Sequence, residues 1–439
     1  MVRRHWKNAT FAKFFSKKID QVIQYERFEL ENGLKVIVHQ DNSTPLVAVN
    51  VIYNVGAKNE SPEKTGFAHL FEHLMFGGSA NVPDFDIPIQ MAGGDNNAFT
   101  NNDVTNFYVY LPVENVETAF WLESDRMYSL NFDEKVLDVQ RKVVVEEFKE
   151  TCLNQPYGDV WHHLSEMAYK VHPYRWPTIG KELRHIEEAT LEDVKTFFYQ
   201  YYRPNNAVLI VAGNISTEQV RALAEKWFGD ILPGPAINRD LPQEPPQTEG
   251  VVRVLEANVP SDALYLAFRM NARLDFDFYV ADLLSDVLSD GRSSRLFQRL
   301  LKEKQLFSHI DCYVSGSYDP GLFIIEGKPS EGVSLEEAEA GIWGEIELLK
   351  NELLSERELQ KLKNKVESNL IFSEMSILNK AINLALFEVL GDLDMINKEG
   401  DLYQQITPAE LQRVAREMLR LENCCRLYYK AVDKEAVVA

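Results

Sequence analysis

The stretch GFAHLFEHLMFGG, residues 66–78, sets His69 and His73 four positions apart, with Glu72 immediately before the second. On a helix, residues at that spacing lie one above the other with Cβ atoms about 5–6 Å apart. Both imidazoles then project from one face and can meet at a Zn²⁺ ion at about 2.0–2.1 Å. Glu72 flanks such an ion rather than completing its shell. From there its carboxylate can take a proton from a water that zinc has made acidic near pH ~7. The pattern H-x-x-E-H arises by chance in a chain of this length on the order of once in a hundred. Phe67, Leu70, Phe71, Leu74 and Met75 are expected to bury the helix, giving the rigid setting this chemistry needs.

Two histidines leave the site incomplete, because a catalytic zinc typically takes three protein ligands and keeps one position open. The segment VLDVQRKVVVEEFKE offers Glu146, Glu147 and Glu150 on a further helix. Residue types alone do not choose among the three, and a solvated carboxylate is the plain reading of each. The other histidines are weaker candidates. His162 and His163 are adjacent, so on a helix they diverge by about 100°. His5, His39, His172, His185 and His309 are isolated and read as surface or satisfied core residues.

The elements that would position these groups need more than one core. The chain has 439 residues, 45% hydrophobic and 26% charged, an ordinary globular composition expected to form two or more domains. No apolar run reaches the roughly 20 residues of a membrane span. Arg3, Arg4, Lys7, Lys13, Lys17 and Lys18 precede the first acid, Asp20, without the apolar block of a secretory signal. A mitochondrial presequence has that texture; a basic lead-in to a first strand is the plainer reading. Four cysteines without a CxxC pair exclude a disulfide framework and thiolate zinc sites, and point to a cytoplasmic setting. A net charge of -21 argues against nucleic acid as a partner and allows a cavity that attracts basic ligands.

Along the chain, ERFELENGLKVIVHQ alternates around Asn32-Gly33, a hairpin signal. PLVAVNVIYNV reads as a strand, NNAFTNNDVTNFYVYLP as two strands around a turn, and PNNAVLIVAGNIS as a buried strand. Residues 114–130 and 133–152 read as helices, the second with Asp133 as N-cap, and another amphipathic helix covers 216–228. LPGPAINRDLPQEPPQTEG, residues 232–250, reads as a linker. Strands then restart near 250–257 and 262–269, and a long helical stretch runs over about 333–396. TLEDVKTFFYQYYRPNNAVLIVA from Thr190 aligns without gaps on TPAELQRVAREMLRLENCCRLYY from Thr407. The expected fold is therefore α+β: two similar tandem domains, 1–231 and 251–439, each a mainly antiparallel sheet with helices packed on it, related by internal duplication.

With these features the chain resembles the inverted-motif zinc peptidases, the family of pitrilysin, insulin-degrading enzyme and mitochondrial processing peptidase, and among them a small bacterial-type member. The resemblance covers the hairpin start, the motif helix, the NNAFT strand, the Glu helix, the linker and the repeated second half. It implies one Zn²⁺ per chain held by His69, His73 and Glu147, the last from VVVEE, with Glu146 and Glu150 as fallbacks. It implies Glu72 as general base and a peptide aligned along Asn97, Ala98, Phe99 and Thr100 by backbone pairing. Gln140 stands where many members carry a supporting acid. The matching second-half helix, VADLLSDVLSDGRSSRL, has no histidine, so only the first half can hold zinc this way. In KEKQLFSHI, Lys302 and Ser308 stand about where active members have an Arg and a Tyr. Full-length relatives are clamshells of four such units, so a dimer is expected, with itself or with a metal-free homologue that contributes the missing groups. The resemblance thus implies a zinc endopeptidase acting on peptides or unfolded segments in a chamber. The alternatives are a non-catalytic scaffold or partner subunit of a processing-peptidase-like heterodimer, and a zinc hydrolase of a non-peptide substrate.

Overall fold

A computed structural model describes residues 22–432; the basic lead-in with His5 lies outside the described residues. Strands β1 (Glu26–Glu29) and β2 (Lys35–Gln40) form the hairpin read from Asn32-Gly33. Gly33 sits at φ +84°, a region open to glycine at little cost. The Asn32 amide then anchors the turn on the Phe228 and Ile231 carbonyls at 2.8 and 3.0 Å. β3 (Leu46–Tyr53), β4 (Asp95–Thr100), β5 (Thr105–Pro112) and β6 (Ala207–Gly213) complete a sheet in the order β1-β2-β6-β3-β5-β4. Its helices are α1 (Phe67–Phe76), α2 (Asp86–Met91), α3 (Val116–Tyr128), α4 (Glu134–Phe148), α5 (Val160–Ala168), α6 (Leu183–Glu187), α7 (Leu191–Tyr201) and α8 (Thr217–Phe228). Asp133 caps α4 by accepting from the Lys135 N–H. The segment expected as one helix to 152 departs from α geometry after Phe148, and Lys149–Asn154 form a wider π turn.

The second sheet has the order β7-β11-β8-β10-β9, from β7 (Val251–Ala257), β8 (Ala263–Arg269), β9 (Phe307–Val314), β10 (Leu322–Pro329) and β11 (Cys424–Ala431). Its helices are α9 (Phe276–Ser289), α10 (Leu335–Asn351), α11 (Glu356–Ser373), α12 (Ile377–Leu390), α13 (Met395–Gln405) and α14 (Pro408–Met418). The long helical stretch expected from 333 is therefore broken. Ser334, Ser355 and Ser376 each accept a backbone N–H of the following turn and open a new helix, because a serine cap satisfies donors that a continuous helix would satisfy internally. Each sheet is antiparallel except for one parallel pair, β2 with β6 and β7 with β11. Residues 232–250 carry neither helix nor strand.

The repeat is exact in its caps. Thr190 and Thr407 both form capping boxes, with Asp193 and Glu410. Asn206 and Asn423 both donate to the carbonyl that ends the preceding helix, Tyr201 at 2.7 Å and Met418 at 2.9 Å. Both faces of each sheet are covered, which explains the all-apolar β6. The covering is reciprocal: α12 of the second half packs on β3 and β6, and α5 of the first half packs on β8 and β11. No single helix among the described residues is long and apolar enough to cross a membrane.

Candidate metal centre

Helix α1 begins at Gly66, whose φ of +87° suits glycine and whose missing Cβ would lie 2.7 Å from the Ile179 carbonyl. A glycine N-cap has no side chain to satisfy the first N–H groups of the helix. Glu60 supplies that cap from six residues upstream, accepting from Gly66 N at 2.9 Å and Ala68 N at 2.8 Å. Glu60 is itself buried, which pushes its carboxyl up to about 8 against the pull of those donors. Sequence reading missed this residue. Phe67, Leu70, Phe71, Leu74 and Met75 are buried as expected, and the Phe71 ring stacks 4.8 Å from that of Tyr202. At the other end, a Cβ on Gly77 would meet Val136 Cγ1 at 2.9 Å and Gln140 Nε2 at 3.5 Å, so glycine lets α4 approach α1 closely. Gln140 thus serves the helix contact.

That approach brings Glu147 to the histidines. His69 Nε2 and His73 Nε2 lie 3.3 Å apart, and Glu147 Oε2 lies 3.3 Å from His73 Nε2 and 3.7 Å from His69 Nε2. Three ligands at about 2.0–2.1 Å from a tetrahedral centre are spaced by about 3.3–3.4 Å, so the donor set and its spacing fit one Zn²⁺. Among the described residues no other group of three His, Cys, Asp or Glu side chains converges in this way. Burial lowers the His69 imidazole to about 4, keeping it in the neutral form that binds metal. The hydrogen bond with His73 holds the Glu147 carboxyl below the ordinary range despite partial burial. Glu146 instead pairs with Lys149 at 2.8 Å, and Glu150 is exposed.

Glu72 stands beside this cluster. Burial raises its carboxyl, and the Thr100 hydroxyl, donating at 2.7 Å, pulls it back. Thr100 is the last residue of β4, which among the described residues pairs with β5 alone. Its hydroxyl is therefore committed to Glu72, a contact that sequence reading missed because it needs α1 and β4 side by side. Asn97 Oδ1 accepts from Ala98 N at 2.8 Å, and Ala98 and Phe99 are half-buried against the cores. Lys302 lies on a π-type helical turn with its Nζ 5.7 Å from the Phe297 ring, and Ser308 donates to the Lys328 carbonyl at 3.1 Å. Among the described residues neither bonds to the first-half cluster. His185 is a satisfied core residue, its Nδ1 accepting from Thr65 N at 3.2 Å.

Comparison with known proteins agrees with this architecture. Residues 35–182 match the family described as Insulinase (Peptidase family M16), and residues 188–366 match the Peptidase M16 inactive domain. The chain is similar to zinc protease PqqE of Helicobacter pylori, 30% identical over 93% of both chains. It is 27% identical to the uncharacterized zinc protease YmxG of Bacillus subtilis, over 85% of this chain and 93% of that one. A probable mitochondrial-processing peptidase subunit beta of Schizosaccharomyces pombe is 24% identical over 90% and 88%. The crystal structure of a protease from Helicobacter pylori superposes with a TM-score of 0.87 at 28% identity, over 93% of this chain and 99% of that one. A peptidase M16 inactive domain from Pseudomonas fluorescens shares the fold, with a TM-score of 0.84 at 18% identity, over 93% and 98%. Two family matches in series and a relative of this similarity across nearly the whole length make the chain a member of the M16 peptidase family, similar to its zinc proteases.

Proposed function

We propose that the chain is a zinc-dependent endopeptidase that hydrolyses peptides or unfolded segments. The convergence of His69, His73 and Glu147 within 3.3–3.7 Å, next to a carboxylate that is not part of the cluster, carries this reading. These three residues would hold the metal. Zinc, when bound, polarises a carbonyl and brings the acidity of water near neutrality. Glu72 takes a proton from the attacking water and returns it to the leaving amine. Thr100 holds the Glu72 carboxylate at 2.7 Å, so the base is oriented before substrate arrives. The open edge of β4 pairs with an extended peptide, reading its backbone.

The active assembly in this proposal is a dimer, with a second copy or with a metal-free homologue. Two observations support it: Lys302 and Ser308 are engaged within the second half, and a relative is named as a subunit beta. Cleavage of a quenched peptide tests the activity. Zinc-loaded protein is expected to cleave, chelator to abolish cleavage, and Glu72→Gln to keep zinc while losing about 10²- to 10⁴-fold in rate. Full cleavage by zinc-bound Glu72→Gln removes the assigned base; no cleavage by the zinc-loaded wild type, alone or with homologues, favours the scaffold reading.

A further inference from the structure

The turn that follows Thr100 is held from outside its own sheet. Asn101 bends the chain, its side-chain oxygen accepting from the Asp103 and Val104 N–H groups at 2.7 and 2.9 Å. A single 3-10 turn, Ala57–Asn59, lies against it: the Ala57 and Lys58 N–H groups donate to the Asn101 and Asn102 carbonyls at 3.1 and 2.9 Å. The approach is so close that a Cβ on Gly56 would stand 2.5 Å from the Asn101 carbonyl oxygen. The next residue after this 3-10 turn is Glu60, the acceptor that caps α1. Residues 56–60 thus touch both the end of the strand that carries Thr100 and the start of the helix that carries Glu72.

Asp103 fastens this arrangement to the second half. It is 1% exposed, so its charge has to be met by protein groups. Its Oδ1 lies 2.7 Å from Lys58 Nζ and accepts from the Tyr174 hydroxyl at 2.5 Å, and its Oδ2 accepts from the Tyr318 N–H at 3.0 Å. Tyr318 and Asp319 belong to the β9–β10 connection, the counterpart in the repeat of the β4–β5 turn. Asp319 Oδ2 lies 3.0 Å from the same Lys58 ammonium, and the Asp319 N–H donates to the Tyr174 hydroxyl at 3.0 Å. Burial works against the Lys58 charge, but the two carboxylates outweigh it and raise the ammonium above its ordinary value. One lysine therefore joins a carboxylate from each half, three residues beyond the threonine that holds the proposed base.

A catalytic group that is slightly misplaced loses rate while the substrate still binds. We infer that Asp103 is a positioning residue for Glu72, acting through Thr100, and that the Tyr318–Asp319 loop of the second half is part of its hold. This rests on the peptidase reading for the reaction, and the arms of the test separate the two.

The test uses full-length zinc-loaded protein. Asp103→Asn is expected to lower kcat per bound zinc about 10-fold with KM within about 2-fold, and Asp319→Asn to lower it about 3-fold, with Asp319→Glu restoring the rate. In a Thr100→Val background Asp103→Asn is expected to cost no further rate, because both changes break one line of contact. Hydrogen exchange reads the hold without any cleavage: at the Ala57 and Lys58 amides it should quicken about 10-fold in Asp103→Asn and stay unchanged in β6. If Asp103→Asn does not fold, Asp319→Asn, at a side chain that is 37% exposed, carries both arms. An unchanged kcat, a loss carried by KM, a loss of full size in the Thr100→Val background, or unchanged exchange at Ala57 and Lys58 overturns the assignment. A zinc-loaded wild type that cleaves no peptide rejects the peptidase reading, and the exchange arm still decides whether the hold exists.

Discussion

The two halves of the molecule share a scaffold and differ at one corresponding point. Helix α1 of the first half and α9 of the second both follow a central strand and precede the two outermost strands of their sheets. Where α1 carries His69 and His73, α9 carries Asp282 and Asp286 at the same spacing. Where α4 delivers Glu147, the corresponding α11 delivers Lys365, which pairs with Asp290. Asp282 accepts from the Tyr403 hydroxyl at 2.5 Å, and burial together with Asp282 pushes the Asp286 carboxyl up to about 6. The second half thus places a protein cation near its carboxylates, while the first brings three donor atoms together. Caps and strands persist in both halves, so the donor set of the first half is a local addition to a scaffold that forms without it.

Seven substitutions, in pairs or alone, sharpen or break this contrast. The largest effect is at the donors. Glu147→Gln or His69→Ala is expected to release zinc and bring hydrolysis down to the chelated background, while Asp282→Asn leaves metal content and rate unchanged; metal analysis with a peptide assay checks both. Next is Glu60→Ala, which strips the buried N–H groups of Gly66 and Ala68 of their acceptor and should cost about 1–3 kcal/mol in urea unfolding. Asp286→Asn has the opposite sign and depends on pH. Its carboxyl holds a proton more tightly folded than unfolded, so folding is penalised as pH rises from the ordinary carboxylate range through about 6. Asparagine removes that penalty, stabilising by about 1–2 kcal/mol at pH ~8 after allowance for solvent screening, and by nothing near pH ~4. The smallest effect is shared: Thr190→Ala and Thr407→Ala each lose a capping box and should each cost about 1 kcal/mol, matching to within a few tenths.

What the sequence disclosed and what it withheld divide along physical lines. The spacing of His69 and His73 is local geometry, and it carries through to the 3.3 Å approach of their nitrogens. The hairpin at Asn32-Gly33 and the repeat from Thr190 and Thr407 are likewise local signals of turn and cap. The choice among Glu146, Glu147 and Glu150 was open to residue types, because it depends on which face of α4 meets α1; the family resemblance, not the helix period, pointed to Glu147. Glu60 was invisible because it caps from beyond the usual N-cap position, across a loop. The long helical stretch from 333 was overread because Ser355 and Ser376 look like ordinary polar residues until their hydroxyls accept from the next turn. The exchange of α5 and α12 was also out of reach: periodicity marks a helix as amphipathic without naming the sheet it covers.

The account turns on one metal ion gripped by the first half alone. Zinc content per chain, measured on the purified wild type, on His69→Ala/His73→Ala and on Asp282→Asn/Asp286→Asn after equilibration with limiting zinc, addresses it directly. The account predicts one zinc, none, and one. A wild type without zinc, or zinc retained when the first pair is removed and lost when the second is, would contradict it.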